Sequence, residues 1–196
     1  MNNIDTKNVS LILKEKGKVV AIKTDTVYGL ICNAFDREAV AKIYRLKQRE
    51  KKKPLSIFVK DIDSIRPYIV DDNLTKRNVN IMEKYWPGAL TIIFKKKDDM
   101  FSYLTEGSSG IGIRIPNDSY LLELLELCDF PLAETSCNIS GEEPYKNADE
   151  IREHFGDSID LIVDGGETKS ARPSTVLSLE SGEPILLRLG DVDINV

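Results

Sequence analysis

Val19-Val20-Ala21-Ile22-Lys23-Thr24-Asp25-Thr26-Val27-Tyr28-Gly29-Leu30 sets the architecture. Its first four residues form an apolar run of strand length, as expected of a strand buried on both faces. Two hydroxyls and a carboxylate follow almost at once. A polar break directly after a buried strand is where open α/β sheets gather their ligands. The stretch therefore predicts a sheet strand that ends at a binding site.

Working outward, the flanking sequence supplies helices and further strands. Upstream, Asp5 or Thr6 can cap a helix with a rough apolar stripe of Val9, Leu11, Ile12 and Leu13, stopped at Gly17. Downstream, Asp36 can cap a second helix, with Ala39, Val40, Ile43, Tyr44 and Leu46 or Lys47 at helical spacing. Strands are expected over residues 55–59, 89–94, 111–116, 131–133, 161–163, 174–179 and 185–189. Helices are expected over 61–68, 73–85 and 148–155, and from a cap at Asn117 or Asp118 to near Cys128. Some consecutive strands are joined by links too short for a crossover helix. That combination predicts a mixed sheet with helices packed on it.

The run Leu46-Lys47-Gln48-Arg49-Glu50-Lys51-Lys52-Lys53-Pro54 carries five basic side chains in nine, on a 196-residue chain of net charge -5. Helix ends attract lysine and arginine without any further purpose. A basic knot on an acidic protein also suits local handling of an anion. The acidic balance argues against a surface that binds nucleic acid throughout, and leaves room for one basic groove. Hydrophobic residues at 41% and charged residues at 30% fit one large globular domain, residues 1–196, with an ample core. No apolar run approaches the ~18 residues of a membrane span, and the first residues lack the pattern of a secretion leader. Cys32, Cys128 and Cys137 are scattered and odd in number, which suits a reducing cytoplasm better than a disulfide framework or zinc site.

Polar groups recur near strand ends: Thr24 to Thr26, Arg114, Ser136 with Asn138, Ser174 with Thr175, and Arg188. Each alone could be a cap or a turn. Jointly with Lys47 and Arg49 they suggest a site for carboxylate or phosphate, since lysine is a movable charge and arginine a fork. Ser136 and Asn138, two apart in an extended segment, face the same way. Other chemistries lack their parts. The single His154 has no serine placed beside it for a triad. Cys137 has no neighbouring histidine to lower its pKa. Asp164-Gly165-Gly166 matches neither a Walker A loop nor a dinucleotide fingerprint.

Eight motifs then stand in one order: Lys23-Thr-Asp-Thr-Val-Tyr-Gly-Leu30, Lys47-x-Arg49, Pro54-Leu55, Trp86-Pro-Gly-Ala-Leu-Thr91, Gly112-Ile-Arg-Ile-Pro116, Ser136-x-Asn138-x-Ser-Gly141, Ser174-Thr-Val176 and Ile185-Leu-Leu-Arg188. In them the chain resembles the YrdC/TsaC family of threonylcarbamoyl-AMP synthases from about Leu11 to Asp191, in its short, single-domain form. The resemblance implies an α/β fold with a YrdC-like open twisted mixed sheet, flanking helices and a basic concave cavity. It implies formation of threonylcarbamoyl-AMP and pyrophosphate from L-threonine, bicarbonate (or CO2) and ATP, with Mg2+ accompanying the ATP and no dedicated protein metal site. A downstream threonylcarbamoyl transferase complex would take the product to tRNA, and tRNA or double-stranded RNA is an implied partner. The family's Lys-x-Arg and Ser-x-Asn tetrad falls on Lys47, Arg49, Ser136 and Asn138. Thr26, Arg114 and Ser174, with backbone around Glu134, are implied to hold threonine. Arg49, Lys53, Gly110, Ser136, Pro144 and Arg188 are implied to line the ATP site.

The chemistry asks for such residues. Every species from carbamate to adenylate is anionic, so cations and hydroxyl dipoles suffice without covalent catalysis. Glu134-Thr135 stands where Ala-Pro is common in the family, and a carboxylate there is expected to point away or to pair with Lys23. The rival reading is an RNA-binding module of the same fold without synthase activity.

Overall fold

A computed structural model of the chain describes residues 5–50, 52–97, 99–168 and 172–195; Lys51 of the basic run and the first four residues lie outside them. Nine strands make one sheet among these residues: β1 (Val20–Lys23), β2 (Tyr28–Asn33), β3 (Ser56–Phe58), β4 (Leu90–Lys95), β5 (Gly110–Arg114), β6 (Leu132–Ser136), β7 (Leu161–Val163), β8 (Thr175–Ser178) and β9 (Ile185–Arg188). Their order is β7-β1-β2-β6-β3-β5-β4-β8-β9. The β1–β7, β3–β5 and β4–β8 pairs are parallel and the other five neighbours antiparallel, so the sheet is mixed as expected.

Six α-helices flank it: α1 (Thr6–Lys14), α2 (Arg37–Leu46), α3 (Lys76–Tyr85), α4 (Ser102–Thr105), α5 (Ser119–Cys128) and α6 (Ala148–Phe155). Their starts follow from capping chemistry. Asp5, Asp36, Thr75, Asp118 and Asn147 each accept a hydrogen bond from a backbone N–H of the first turn. One sheet face carries Ala21, Leu30, Ile57, Ile113, Ala133 and Leu177 against Val40 and Ile43 of α2, Met82 of α3 and Ile151 of α6. The other carries Ile22, Ile31, Phe58 and Leu132 against Val9 and Leu13 of α1 and Leu121 and Leu125 of α5.

Three sequence expectations need correction. The polar break after β1 is a tight link, closed by Thr24 N–H on Val27 O at 3.2 Å, after which β2 returns antiparallel along β1. Tyr28 and Gly29 therefore open a strand that was not among those expected. The helix expected over 61–68 shrinks to one short turn, Asp63–Ile65, because the Asp61 carboxylate caps Ser64 and Pro67 withholds an N–H. The strand expected over 131–133 continues as β6 through Glu134 and Thr135 to Ser136.

Ile113 sits in β5 between β3 and β4 and has no solvent exposure, at 0%. Ile113→Ala is expected to cost about 2–5 kcal/mol. Urea unfolding should show a lower midpoint at an unchanged slope.

Candidate active site

Helices α1 and α5 cover only part of their sheet face. Side-chain character along the strands changes where the cover ends. On β6, Leu132 lies under the helices, while Glu134 and Ser136, on the same face by the two-residue period, do not. On β3 the change is from Phe58 to Ser56, which pairs with Glu134 and Gly112. The uncovered floor is lined by Thr26, Gly29, Arg49, Ser56, Thr91, Gly112, Arg114, Glu134, Ser136, Ser174 and Arg188 among others. It forms a cavity of about 240 Å³, room for roughly eight waters. An amino acid or a phosphate group fits, and a whole nucleotide would extend out through the mouth.

Arg114 anchors one end. It is 2% exposed and donates from Nε to Gly88 O at 2.9 Å, from Nη1 to Thr26 Oγ1 at 3.2 Å, and from Nη2 to Asp25 Oδ1 at 2.6 Å. Its guanidinium lies 5.6 Å from the centre of the Phe58 ring, a distance at which the ring's negative face attracts a cation. Asp25 also accepts the Asn117 N–H at 2.9 Å through its other oxygen. The β1–β2 link is thus bolted to the end of β5. Thr24 Oγ1 donates to Val27 O and accepts the Thr26 N–H, which fixes the turn that presents Thr26.

Lys47 and Arg49, which the sequence places together, do different things. Lys47 is 1% exposed and lies beneath the cavity, where Nζ donates to Ser136 O, to Asn138 O at 2.9 Å and to Asn138 Oδ1 at 2.7 Å. Burial, helped by the nearby Arg49 charge, pulls its pKa down to about 8. Asn138 accepts the Ser136 hydroxyl at 2.6 Å and donates to Ile139 O and Glu142 O. Lys47 and Asn138 are therefore pins that aim Ser136 at the cavity. Gln48, with φ 49°, turns the chain between the two cations. Arg49 then enters the lining and donates to the carbonyls of Lys53 and Pro54 at 2.9 and 3.0 Å.

Across β4 from Arg114, just ahead of β8, Ser174 Oγ and Thr91 Oγ1 share a hydrogen bond of 2.8 Å. Arg188 donates to Ser174 O at 2.8 Å and reaches Ser174 Oγ at 3.5 Å. Burial lowers the pKa of both Arg49 and Arg188 from the ordinary arginine range. Gly112 keeps the floor open between Ser56 and Thr91. A Cβ there would stand 3.2 Å from Ser56 Cβ and 3.3 Å from Thr91 Cγ2.

The cavity thus gathers Thr26, Arg49, Arg114, Glu134, Ser136, Ser174 and Arg188 from the sequence candidates, with Lys47 and Asn138 supporting it. Lys53, Gly110 and Pro144 are outside its lining. The Lys53 side chain is exposed, Gly110 is buried against Glu180, and Pro144 is half-buried elsewhere. Glu134 neither points away nor meets Lys23: its carboxylate accepts from Ser56 Oγ in the cavity, and Lys23 Nζ donates to Gly165 O. Cys137 is buried and its pKa is pushed up to about 12, which suits packing and not attack. Sequence reasoning marked Asp25 only as part of the polar break Thr24 to Thr26, without its tie to Arg114, and missed Ser56 and Thr91 as partners of the site. Only Asp25, a carboxylate between two threonines on a turn, carried a local signal.

The Sua5/YciO/YrdC family model, described as telomere recombination, matches residues 13–190. A Methanocaldococcus jannaschii protein that bears a provisional threonylcarbamoyl-AMP synthase name is 39% identical over 197 residues, covering 99% of this chain and 91% of that one. The Bacillus subtilis threonylcarbamoyl-AMP synthase is 35% identical over 97% of this chain. The solved structure of Pyrococcus abyssi Sua5 complexed with L-threonine superposes with a TM-score of 0.88 at 34% identity over 94% of this chain. The chain spans 55% and 54% of the lengths of those last two proteins.

Two outcomes test the geometry. Removing the Asp25 carboxylate strands a buried guanidinium, so Asp25→Ala should cost about 3–5 kcal/mol, and Arg114→Met in the same background should restore part of it in urea unfolding. Lys47 has a folded pKa near 8 against an ordinary 10.5, so the unfolded chain holds more protons between those values. Stability relative to Lys47→Met should therefore rise with pH across that window, by up to about 1.4 kcal/mol per unit. A flat difference would mean that the ammonium is not desolvated.

Proposed function

The chain belongs to the Sua5/YciO/YrdC family, and on that premise we propose that it is a threonylcarbamoyl-AMP synthase, a nucleotidyltransferase that makes threonylcarbamoyl-AMP and pyrophosphate from L-threonine, bicarbonate (or CO2) and ATP. The observation that carries this reading is the convergence of three guanidinium groups, Arg49, Arg114 and Arg188, with the hydroxyls of Thr26, Ser136 and Ser174 on one small cavity. The relatives' names favour a synthase over an RNA-binding module of the same fold.

The chemistry assigns work to each end. Threonine binds at the Thr26–Arg114–Ser174 side, where Arg114 meets its carboxylate and the two hydroxyls its polar groups. The triphosphate lies toward Arg49, Ser136 and Arg188, with the adenosine reaching out of the mouth. Amine and CO2 give the carbamate, whose oxygen attacks the α-phosphorus while pyrophosphate leaves. Fixed cations meet the charge that gathers on the leaving oxygens. Holding carbamate and ATP in line contributes about 7 kcal/mol or more to barrier lowering. Mg2+ arrives on ATP as part of the substrate; among the described residues no group of three or more His, Cys, Asp or Glu side chains gathers to hold it. The product is a reactive anhydride, so a cytoplasmic transferase that acts on tRNA is the natural acceptor. No described helix is long and apolar enough to cross a membrane.

Pyrophosphate release measured with threonine, bicarbonate and ATP, against the same mixture without threonine, tests the reading. Threonine-dependent release is expected, and threonine-independent release or none would overturn it. Arg49→Ala should lower kcat by about 100-fold or more with the fold intact, while Ser174→Ala should mainly raise the threonine KM.

A further inference from the structure

Glu134 is the only acidic side chain among the described residues that line the cavity, and it stands on the cavity floor. Three cations act on it or are acted on by it: the carboxylate raises the pKa of Lys47, Arg49 and Arg188 against the lowering effect of burial. Among the described residues it forms no ion pair with any of them, and its hydrogen bond is to Ser56 Oγ. Ser56 faces it across the β3–β6 pair, so the strand register fixes where the carboxylate points. An anion held among anionic substrates weakens their binding unless a substrate cation lies against it. The substrates of the proposed reaction bring two cations, the Mg2+ that travels with the ATP phosphates and the ammonium of the amino acid, and only the ammonium belongs to the ligand that binds beside Arg114.

Resting on that proposed reaction, we infer that the Glu134 carboxylate receives the substrate ammonium and takes the proton that it must lose before carbamate formation. The ammonium gives one proton to Glu134, which leaves a nitrogen lone pair. That pair forms the C–N bond to CO2 while one C–O π pair moves onto oxygen. The second N–H proton then passes to water. Ammonium, CO2 and carboxylate thus yield carbamate, the neutral acid and one released proton, and the charges balance. Arg114 takes the carboxylate end of the amino acid and Glu134 its amine, so the floor reads the two ends of a zwitterion in one orientation. Ser56 is the positioning residue that aims the carboxylate.

The test is steady-state pyrophosphate release by Glu134→Gln, a variant that keeps the Ser56 hydrogen bond through its amide oxygen. The threonine KM should rise about ten- to a hundredfold with the ATP KM little changed. The loss should shrink as pH rises and the free amine becomes abundant, and Glu134→Asp should recover part of the activity. Calorimetry without ATP adds a binding readout: wild type should prefer threonine to 2,3-dihydroxybutanoate, which lacks the amine, and the variant should not. Equal effects on the threonine and ATP KM values would make Glu134 a charge balancer and overturn the inference. So would a change confined to the Mg2+ requirement, or an unchanged variant. If wild type itself neither binds threonine nor releases pyrophosphate, the synthase reading fails first, and the two failures are distinguishable.

Discussion

A guanidinium with 2% of its surface exposed stands at the end of β5, and three oxygens from two segments hold it there. A buried charge without partners would cost several kcal/mol. Asp25, Thr26 and Gly88 remove most of that cost, and in doing so they fasten the β1–β2 link and the Trp86-Pro87-Gly88 turn to the sheet. Among the described residues no other side chain bonds to both the β1–β2 link and that turn. The cavity therefore exists before any ligand enters, with Thr26 already turned inward and Arg114 already desolvated. Fixed dipoles and charges of this kind act on a reaction without reorganising during it.

The second constraint is geometric. A strand alternates its side chains, so a face covered by helices along its whole length would have to be apolar along its whole length. Here α1 and α5 stop short, and β3 and β6 turn polar on that face at Ser56 and Glu134. Gly112 lies in the same row and leaves the space between strands unfilled. Beneath the other rim, Lys47 spends its charge on backbone and amide oxygens of residues 136 and 138 and so shapes the loop that carries Ser136. The most basic stretch of the sequence thus contributes one pin and one lining cation, separated by the left-handed turn at Gln48.

The strands and capped helices were legible because their signals are local: apolar runs for β1 and β4, and Asp36 or Asp118 ahead of an apolar stripe. The return of β2 was not read, because Thr24-Asp25-Thr26 looked like an interruption and the register that makes it a hairpin link is not local. Polar residues inside β6 misled in the same way, since their polarity reports an uncovered face and not a loop. The site residues were named chiefly through resemblance. What sequence could not give was the distinction between Lys47 and Arg49, two apart in the chain but on different sides of the cavity floor, and the Ser56–Glu134 contact, which depends on cross-strand register.

The most direct measurement is a crystal structure of the protein with threonine and a non-hydrolysable ATP analogue. The amino acid should lie between Arg114 and Ser174, with its amine toward Glu134 and the phosphates against Arg49 and Arg188. Ligand density elsewhere, for example in the groove beside Trp86 and Ile115, with the floor between β6 and β8 left empty, would contradict it.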